Sequence, residues 1–430
     1  MATLKGKIGY PILGDSSVEF YRNVPLYVNS RIEEYGARIF QARILNKPTV
    51  FVCSANAVKE LLTEHHTKMD LGYKAMLHHL YGDNIMFEEA AEANRLHALM
   101  HHVFIQNALL NFDSIVQKFI QRHFSDLHSR PSVQVYETFK LFATELMLAL
   151  FLDLDVSDSA DLVRDVASLA TTHWHGVISV PMNWSVSYWS SSCKRAVEAK
   201  DKLLERIRDR LASQTDEGSF LTRAREAGFK NHAELEQHIL PFVSALVPKA
   251  IASLLASFTL ALCSEKQGDM QEKARESSDY QDWCLLETER LWPPVLGGRR
   301  LVREDFVLDG YKVPKGYAVI YVSSIAHRDP NVFKNPNSFD PTRWANKRTE
   351  KEKLLFCYGD GPRCCVGTSL MKNLIKKVSQ YLVGHYNWTL GDQEEDLDYK
   401  WLPMARPREL SVSFTRIDQS EASSELAGSD

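Results

Sequence analysis

The sequence predicts a mainly α fold with small β-sheets (α+β), laid out as one large domain. Three observations carry this. From Ser54 to about Leu291 the chain mostly places apolar residues three and four apart, the helical period. Strand signals are confined to a segment before that stretch and to the region after Trp292. No internal repeat or low-complexity linker separates the two regions. At roughly 100–200 residues per domain, 430 residues allow two to four domains or one large one, and the missing boundary favours one spanning 1–417.

Taken in order, the apolar runs Ile39–Ile44 and Thr49–Cys53 around Asn46-Lys47-Pro48 read as a hairpin, followed by a helix capped by Ser54. Phe112–His128, Val135–Leu152 and Lys194–Gln214 are helical in period. Arg206, Arg208 and Arg210, interleaved with Leu204, Ile207 and Leu211, suggest a solvated outer face. Ile239–Leu262 is the longest apolar stretch. A lysine at bilayer depth is costly, so Lys249 at its middle favours a buried central helix over a membrane span. After Trp292-Pro293-Pro294 the character changes. Phe306–Val313 and Tyr317–Val322 flank Pro314-Lys315-Gly316 as a hairpin signal. A helix from about Thr368 to Gly384 and a strand at Glu409–Thr415 follow, and the polar 418–430 reads as a disordered tail.

Composition narrows the function. The formal charge of −4 gives no global basic field, so nucleic acid is not expected as a partner. Seven scattered cysteines, two of them the adjacent Cys364 and Cys365, do not make a disulfide framework and fit a reducing, cytoplasmic setting. The amino terminus lacks the apolar run of a signal peptide or anchor, and a soluble monomer is expected. His101-His102 and His173-Trp174-His175 complete no recognised metal spacing and read as structural or pocket-lining.

The most informative segment is Tyr358-Gly-Asp-Gly-Pro-Arg-Cys-Cys-Val-Gly367. Its glycines at 359, 361 and 367 let the backbone bend tightly and approach a flat ligand. Arg363 and the positive end of the helix beginning near Thr368 are both expected to lower the pKa of the Cys365 thiol, favouring the thiolate needed for iron ligation. A thiolate on haem iron donates electron density and favours O–O cleavage. The alternative is a glycine-rich turn around a buried cysteine.

Tyr358, Gly361, Arg363, Cys365 and Gly367 occupy the positions of the F-x-x-G-x-R-x-C-x-G loop, and here the sequence resembles the cytochrome P450 family, with tyrosine in place of phenylalanine. Glu287-Thr-Glu-Arg290, then Leu291-Trp-Pro-Pro294, then Arg343 in Phe339-Asp-Pro-Thr-Arg-Trp344, follow the family's order ahead of Cys365. The resemblance runs from Gly9-Tyr-Pro-Ile-Leu-Gly14 to Arg406-Pro-Arg408 and implies a single haem-thiolate catalytic domain with a long central helix over a buried haem. It makes Cys365 the axial ligand of haem b and Glu287, Arg290 and Arg343 a structural ion-pair network. Pro293–Arg300 is most similar to the retinoic-acid hydroxylases and their cyanobacterial relatives. There Arg300, like Arg363, is expected to contact a propionate. His97, with Asn94, stands where the family often has histidine and arginine facing the propionates.

The family's central helix usually carries an acid followed by an alcohol, which relay protons so that O–O breaks heterolytically. Here those positions hold Pro248 and Lys249. Pro248 has no exchangeable proton and is expected to kink the helix by removing the bond to the Ser244 carbonyl. Lys249 has three readings: paired with an acid, bound to a substrate carboxylate, or an acid or base of depressed pKa. Three functions follow. One is a monooxygenase of a lipophilic terpenoid, polyketide or fatty-acyl secondary metabolite, fed by a ferredoxin or reductase. Another is a haem-thiolate enzyme that uses peroxide, rearranges a hydroperoxide, dehydrates or isomerises. The third is a haem sensor. Lys372, Lys376 and Lys377 form either a docking patch for the electron donor or a solvated helix face. The pocket is expected to draw on Leu71–Phe87, Ala167–Trp189, Phe242–Ile251 and Val295–Leu301.

Overall fold

The computed structural model describes residues 2–104, 106–178, 187–213, 219–263, 269–345, 348–391 and 398–417. The expected tail at 418–430 lies outside them. Among the described residues helices predominate, with four small sheets.

The helix Val135–Leu152 is the hub of the core. Twelve of its residues are buried, and from Leu146 to Leu152 it is buried on every side, the pattern of a helix surrounded by others, while Glu137 and Leu141 of its first half reach the surface. It packs on Gln106–Phe124, His232–Val243 and Leu246–Ala261.

The expected hairpin forms as Ile39–Ile44 against Lys47–Val52. Its turn falls one step earlier than the sequence suggests. Leu45 and Asn46 adopt φ of 51° and 55°, a pair of positive values matching a type I′ turn. Lys47 and Pro48 are therefore already paired, with Ile44 and Arg43. The hairpin joins a five-stranded sheet in the order Ile39–Ile44, Lys47–Val52, Ala318–Val322, Gly297–Val302, Met69–Leu71. Lys47–Val52 and Ala318–Val322 run parallel, so this sheet joins the two ends of the sequence.

Three other expectations are corrected. Ser54 precedes the helix Ala55–Thr63 but makes no capping bond; the Asp329 carboxylate accepts from the Ala55 N–H at 3.1 Å instead. Phe306–Leu308 pairs with Tyr311–Val313 through Asp309-Gly310, at φ 47° and 78°, while Ala318–Val322 joins the large sheet. The hairpin signal is thus Asp-Gly and not Pro314-Lys-Gly. The arginines of Ser187–Ala212 do not form a merely solvated face. Arg206 pairs with Asp165, Arg208 with the buried Glu236 at 2.8 Å, and Arg210 donates to the Leu152 carbonyl.

The central apolar stretch is buried within the protein, although by length and composition His232–Ala261 would span a membrane. It runs in two pieces, His232–Val243 and Leu246–Ala261, separated by Ser244 in extended conformation at ψ 169°. The sequence predicts a kink from the missing Pro248 N–H; the outcome is a full break. A proline ring clashes with the carbonyl four residues earlier, which here belongs to Ser244, and the chain parts at that residue. Pro248 then lies in the first turn of the second helix, where unpaired donors are usual.

Candidate active site

Glu287 and Arg290 lie one turn apart on Ser278–Leu291, and both side chains are fully buried. The guanidinium grips both carboxylate oxygens, at 2.7 and 2.8 Å. Arg343 Nε and the Trp344 indole N–H donate to the same carboxylate at 2.9 and 3.0 Å. Arg290 also donates to the carbonyls of His327, Pro336 and Ser338. Every charge in this network is paired and every remaining N–H directed, the condition for burying ions. His327 carries it onward. Its Nδ1 donates to the Arg290 carbonyl at 3.0 Å and its Nε2 accepts from the Phe356 N–H at 2.7 Å, the entry to the cysteine loop. That arrangement requires a neutral ring, and burial holds the His327 pKa down at about 3. His327 and Trp344 carried no sequence signal of their own.

The loop itself is pinned at both ends. Tyr358 accepts from the Cys365 N–H at 2.8 Å through its carbonyl, and its hydroxyl donates to Glu289 at 2.9 Å. Lys372 lies over the Tyr358 ring. Gly361 sits at φ 64°, and a Cβ there would meet the Leu62 carbonyl oxygen at 2.4 Å, so this turn requires glycine. The Thr368 hydroxyl donates to the Cys365 carbonyl at 2.7 Å, ahead of the helix Thr368–His385.

Cys365 opens onto a cleft whose two lobes hold about 340 and 480 Å³. One lobe is faced across by Phe242, Leu246, Val247, Ala250 and Leu254, so the second half of the central helix roofs the thiol. The other carries His97 and His101. The thiol pKa is not lowered as the sequence suggests. Desolvation within the cleft pushes it up, opposed by the Gly367 N–H and the Thr368 hydroxyl, and the Arg363 guanidinium turns to the Glu88 carbonyl. Arg300 lies over the Tyr321 ring, 5.5 Å from its centroid, and donates to the Arg299 carbonyl. Arg300 and Arg363 are close enough to repel, and Arg363 together with burial depresses the His97 pKa. Arg363 and His97 therefore line the cleft, with Arg300 within electrostatic range of Arg363.

The donor set fits a haem. Among the described residues no group of three His, Cys, Asp or Glu side chains converges to hold a bare ion. A lone thiol suits a metal whose other ligands arrive with it, the apolar cleft suits a macrocycle, and these basic groups suit its carboxylates.

A second cavity of about 660 Å³, larger than either lobe, adjoins the cleft, the two sharing Leu246, Val295, Gly297, Tyr321 and Met404. All four segments expected to line it do so, through Tyr73–Phe87, Trp174 and Val177, Leu246, and Val295–Arg299; residues 179–186 lie outside the described set. Phe20, Tyr21, Val24, Ile320–Val322, Lys400 and Leu402–Met404 complete the wall and were not legible as lining. Lys249 lines neither space. Its ammonium lies 5.4 Å from the centroid of Trp174, which does line the cavity, and burial holds its pKa down at about 8. No carboxylate lies within ion-pair distance of it among the described residues. His173 is structural, Nε2 meeting the Leu80 carbonyl at 2.8 Å. Lys376 and Lys377 pair with Asp282 and Asp113, so the helix after the loop presents less free charge than its sequence suggests.

A cytochrome P450 family model matches residues 11–234 and 258–414, and the chain belongs to that family. It is an enzyme of the cytochrome P450 type, a haem-dependent oxidoreductase with monooxygenase relatives. The unmatched interval contains the break in the central helix. Cytochrome P450 26B1 of Danio rerio is 24% identical over 97% of this chain and 87% of its own length. The beta-amyrin 28-monooxygenase CYP716A378 of Saponaria officinalis is 22% identical over 89% and 85%. In fold, the retinoic acid-bound cyanobacterial CYP120A1 superposes with a TM-score of 0.84 at 22% identity, covering 96% of this chain and 99% of that one.

Proposed function

We propose that this enzyme is a haem-thiolate monooxygenase, with Cys365 as the axial ligand of haem b and a lipophilic small molecule as substrate. The observation that carries the reading is the Cys365 thiol facing an apolar cleft roofed by Phe242–Leu254. The haem supplies the oxidising chemistry when bound, its thiolate ligand favouring O–O cleavage. Arg300, Arg363 and His97 hold the propionates. Gly361 and Gly367 bring the loop backbone close to the ring. Glu287, Arg290 and Arg343 act at a distance by holding the segment that leads into the loop. The walls of the larger cavity exclude water and hold an apolar substrate beside the cleft. A terpenoid or fatty-acyl secondary metabolite fits such walls, and the cyanobacterial neighbour in fold is a retinoic acid-bound protein. The electron donor is a ferredoxin or a reductase, and the protein acts as a monomer.

A second reading is favoured by one observation. Pro248 and Lys249 replace the usual relay pair, and Lys249 is turned to Trp174. Protons for dioxygen activation then come from water, from substrate or from Lys249. Otherwise the enzyme takes peroxide or rearranges, dehydrates or isomerises its substrate. Parallel assays with reductant, redox partner and oxygen, with peroxide, and with neither separate the two. Product only in the first assay supports the monooxygenase; turnover without an electron donor overturns it.

A further inference from the structure

Arg299 and Arg300 are neighbours on the strand Gly297–Val302, so their side chains leave opposite faces. Arg300 lies over the Tyr321 ring and within electrostatic range of Arg363, as described above. Arg299 instead lines the larger cavity, where it is only 7% exposed. One of its nitrogens, Nη1, donates to the Gly72 carbonyl at 3.2 Å. Its Nε is buried with no hydrogen-bond partner. No carboxylate lies within ion-pair distance among the described residues. A guanidinium buried in this state is costly, because its donors have given up water without replacement.

The surroundings are arranged for that guanidinium. A Cβ at Gly72 would lie 2.7 Å from Arg299 Cγ and 2.8 Å from its carbonyl carbon, so glycine there makes room for the arginine stem. The Tyr21 and Tyr73 phenols stand close enough to interact with its charge. Lys400 adds a second cation to the wall, and no Asp or Glu is among the described lining residues. Most of the remainder is apolar, including Met76, Leu77, Phe87 and Val177.

We propose that this cavity takes an amphipathic acid, its carboxylate received by Arg299 and its apolar body extending through the shared wall at Leu246 and Val295 toward the Cys365 cleft. The inference rests on reading the cavity as the substrate chamber and names the substrate's chemical class. A carboxylate matches the forked donors of a guanidinium, satisfies the orphaned nitrogen and neutralises the buried charge in one contact. Neutral terpenes and alcohols leave that charge unpaired.

The test is equilibrium binding to the purified holoprotein, by calorimetry, of paired probes that differ only in the head group: dodecanoic acid against 1-dodecanol, and farnesoic acid against farnesol. At least one acid is expected to bind about 10- to 100-fold tighter than its alcohol, the range for a hydrogen-bonded charged group. Arg299→Gln should remove most of that preference while leaving alcohol affinity within a few-fold, and Arg299→Lys should retain part of it. A merely structural arginine would weaken acid and alcohol alike. Equal affinities within both pairs, or no binding of either acid, overturn the proposal, as does a preference unchanged in Arg299→Gln. If that variant fails to fold, the wild-type ratios still decide. The carbon monoxide spectrum of the reduced holoprotein reads the haem-thiolate assignment separately, so failure of one reading is distinguishable from failure of the other.

Discussion

The Tyr358 hydroxyl donates to Glu289 Oε1 at 2.9 Å, joining the first residue of the cysteine loop to the helix that carries Glu287 and Arg290. Glu289 is buried and its pKa is raised by that burial. The same helix therefore holds the loop twice, here and through Arg290, His327 and the Phe356 N–H. Tyr358→Phe should keep the haem spectrum but lower stability by about 1–3 kcal/mol, since Glu289 loses its donor inside the protein. Urea denaturation of the two holoproteins measures the difference.

Breaking the buried pair should cost more. Glu287→Gln or Arg290→Leu leaves an ion without its partner, a loss of about 3–5 kcal/mol. We expect low yields of folded holoprotein and a large fall in denaturation midpoint. An unfolding free energy within about 1 kcal/mol of wild type, roughly the value of an exposed pair, would refute the structural role.

Cys365→Ala should abolish the thiolate-type Soret shift on adding carbon monoxide to the reduced protein. Cys364→Ala should retain it, as the proposal that Cys365 is the ligand requires. A shift that survives in Cys365→Ala and vanishes in Cys364→Ala would move the ligand by one residue.

His327 gives a pH dependence of defined sign. Its folded pKa of about 3 lies below the ordinary histidine value, so the unfolded chain binds the extra proton first. Stability from this group is full above about pH 6.5 and falls as pH drops toward 3, by up to roughly 5 kcal/mol. His327→Gln, which can both donate and accept, should flatten that part of the stability profile between pH 6.5 and 4.

Lys249 titrates in the opposite range. Its folded pKa near 8 lies below the usual lysine value, so the native state binds fewer protons than the unfolded chain between about 8 and 10.5. Its contribution to stability therefore rises with pH across that window. Lys249→Met should remove the rise, measured by denaturation at pH 8, 9 and 10.

Much of this was legible in the sequence where a residue's role depends on near neighbours. The Glu287–Arg290 spacing, the glycines of the loop and the apolar run Val135–Leu152 state their structure locally. Partners brought in by the fold were not legible. Nothing adjacent to His327 indicates that it will join Arg290 to Phe356, and Ser54 looked like a cap because Asp329 is far off in the chain. The thiol was expected to be acidic from Arg363 two residues away, but the guanidinium turns to Glu88 and desolvation governs instead. Arg299 escaped notice for a related reason: adjacent arginines on a strand look alike in sequence, and only the sheet decides which space each one enters.

The parallel pairing of Thr49–Val52 with Ala318–Tyr321 has a consequence for biosynthesis. A ribosome has to translate most of the message before the early hairpin can meet its partner. Contacts of such long sequence separation form slowly, and exposed strand edges invite aggregation meanwhile. The helical core, by contrast, draws largely on segments made earlier. A nascent polypeptide truncated before Ala318 would leave the Lys47–Val52 edge bare, and chaperone demand during expression should peak in that window.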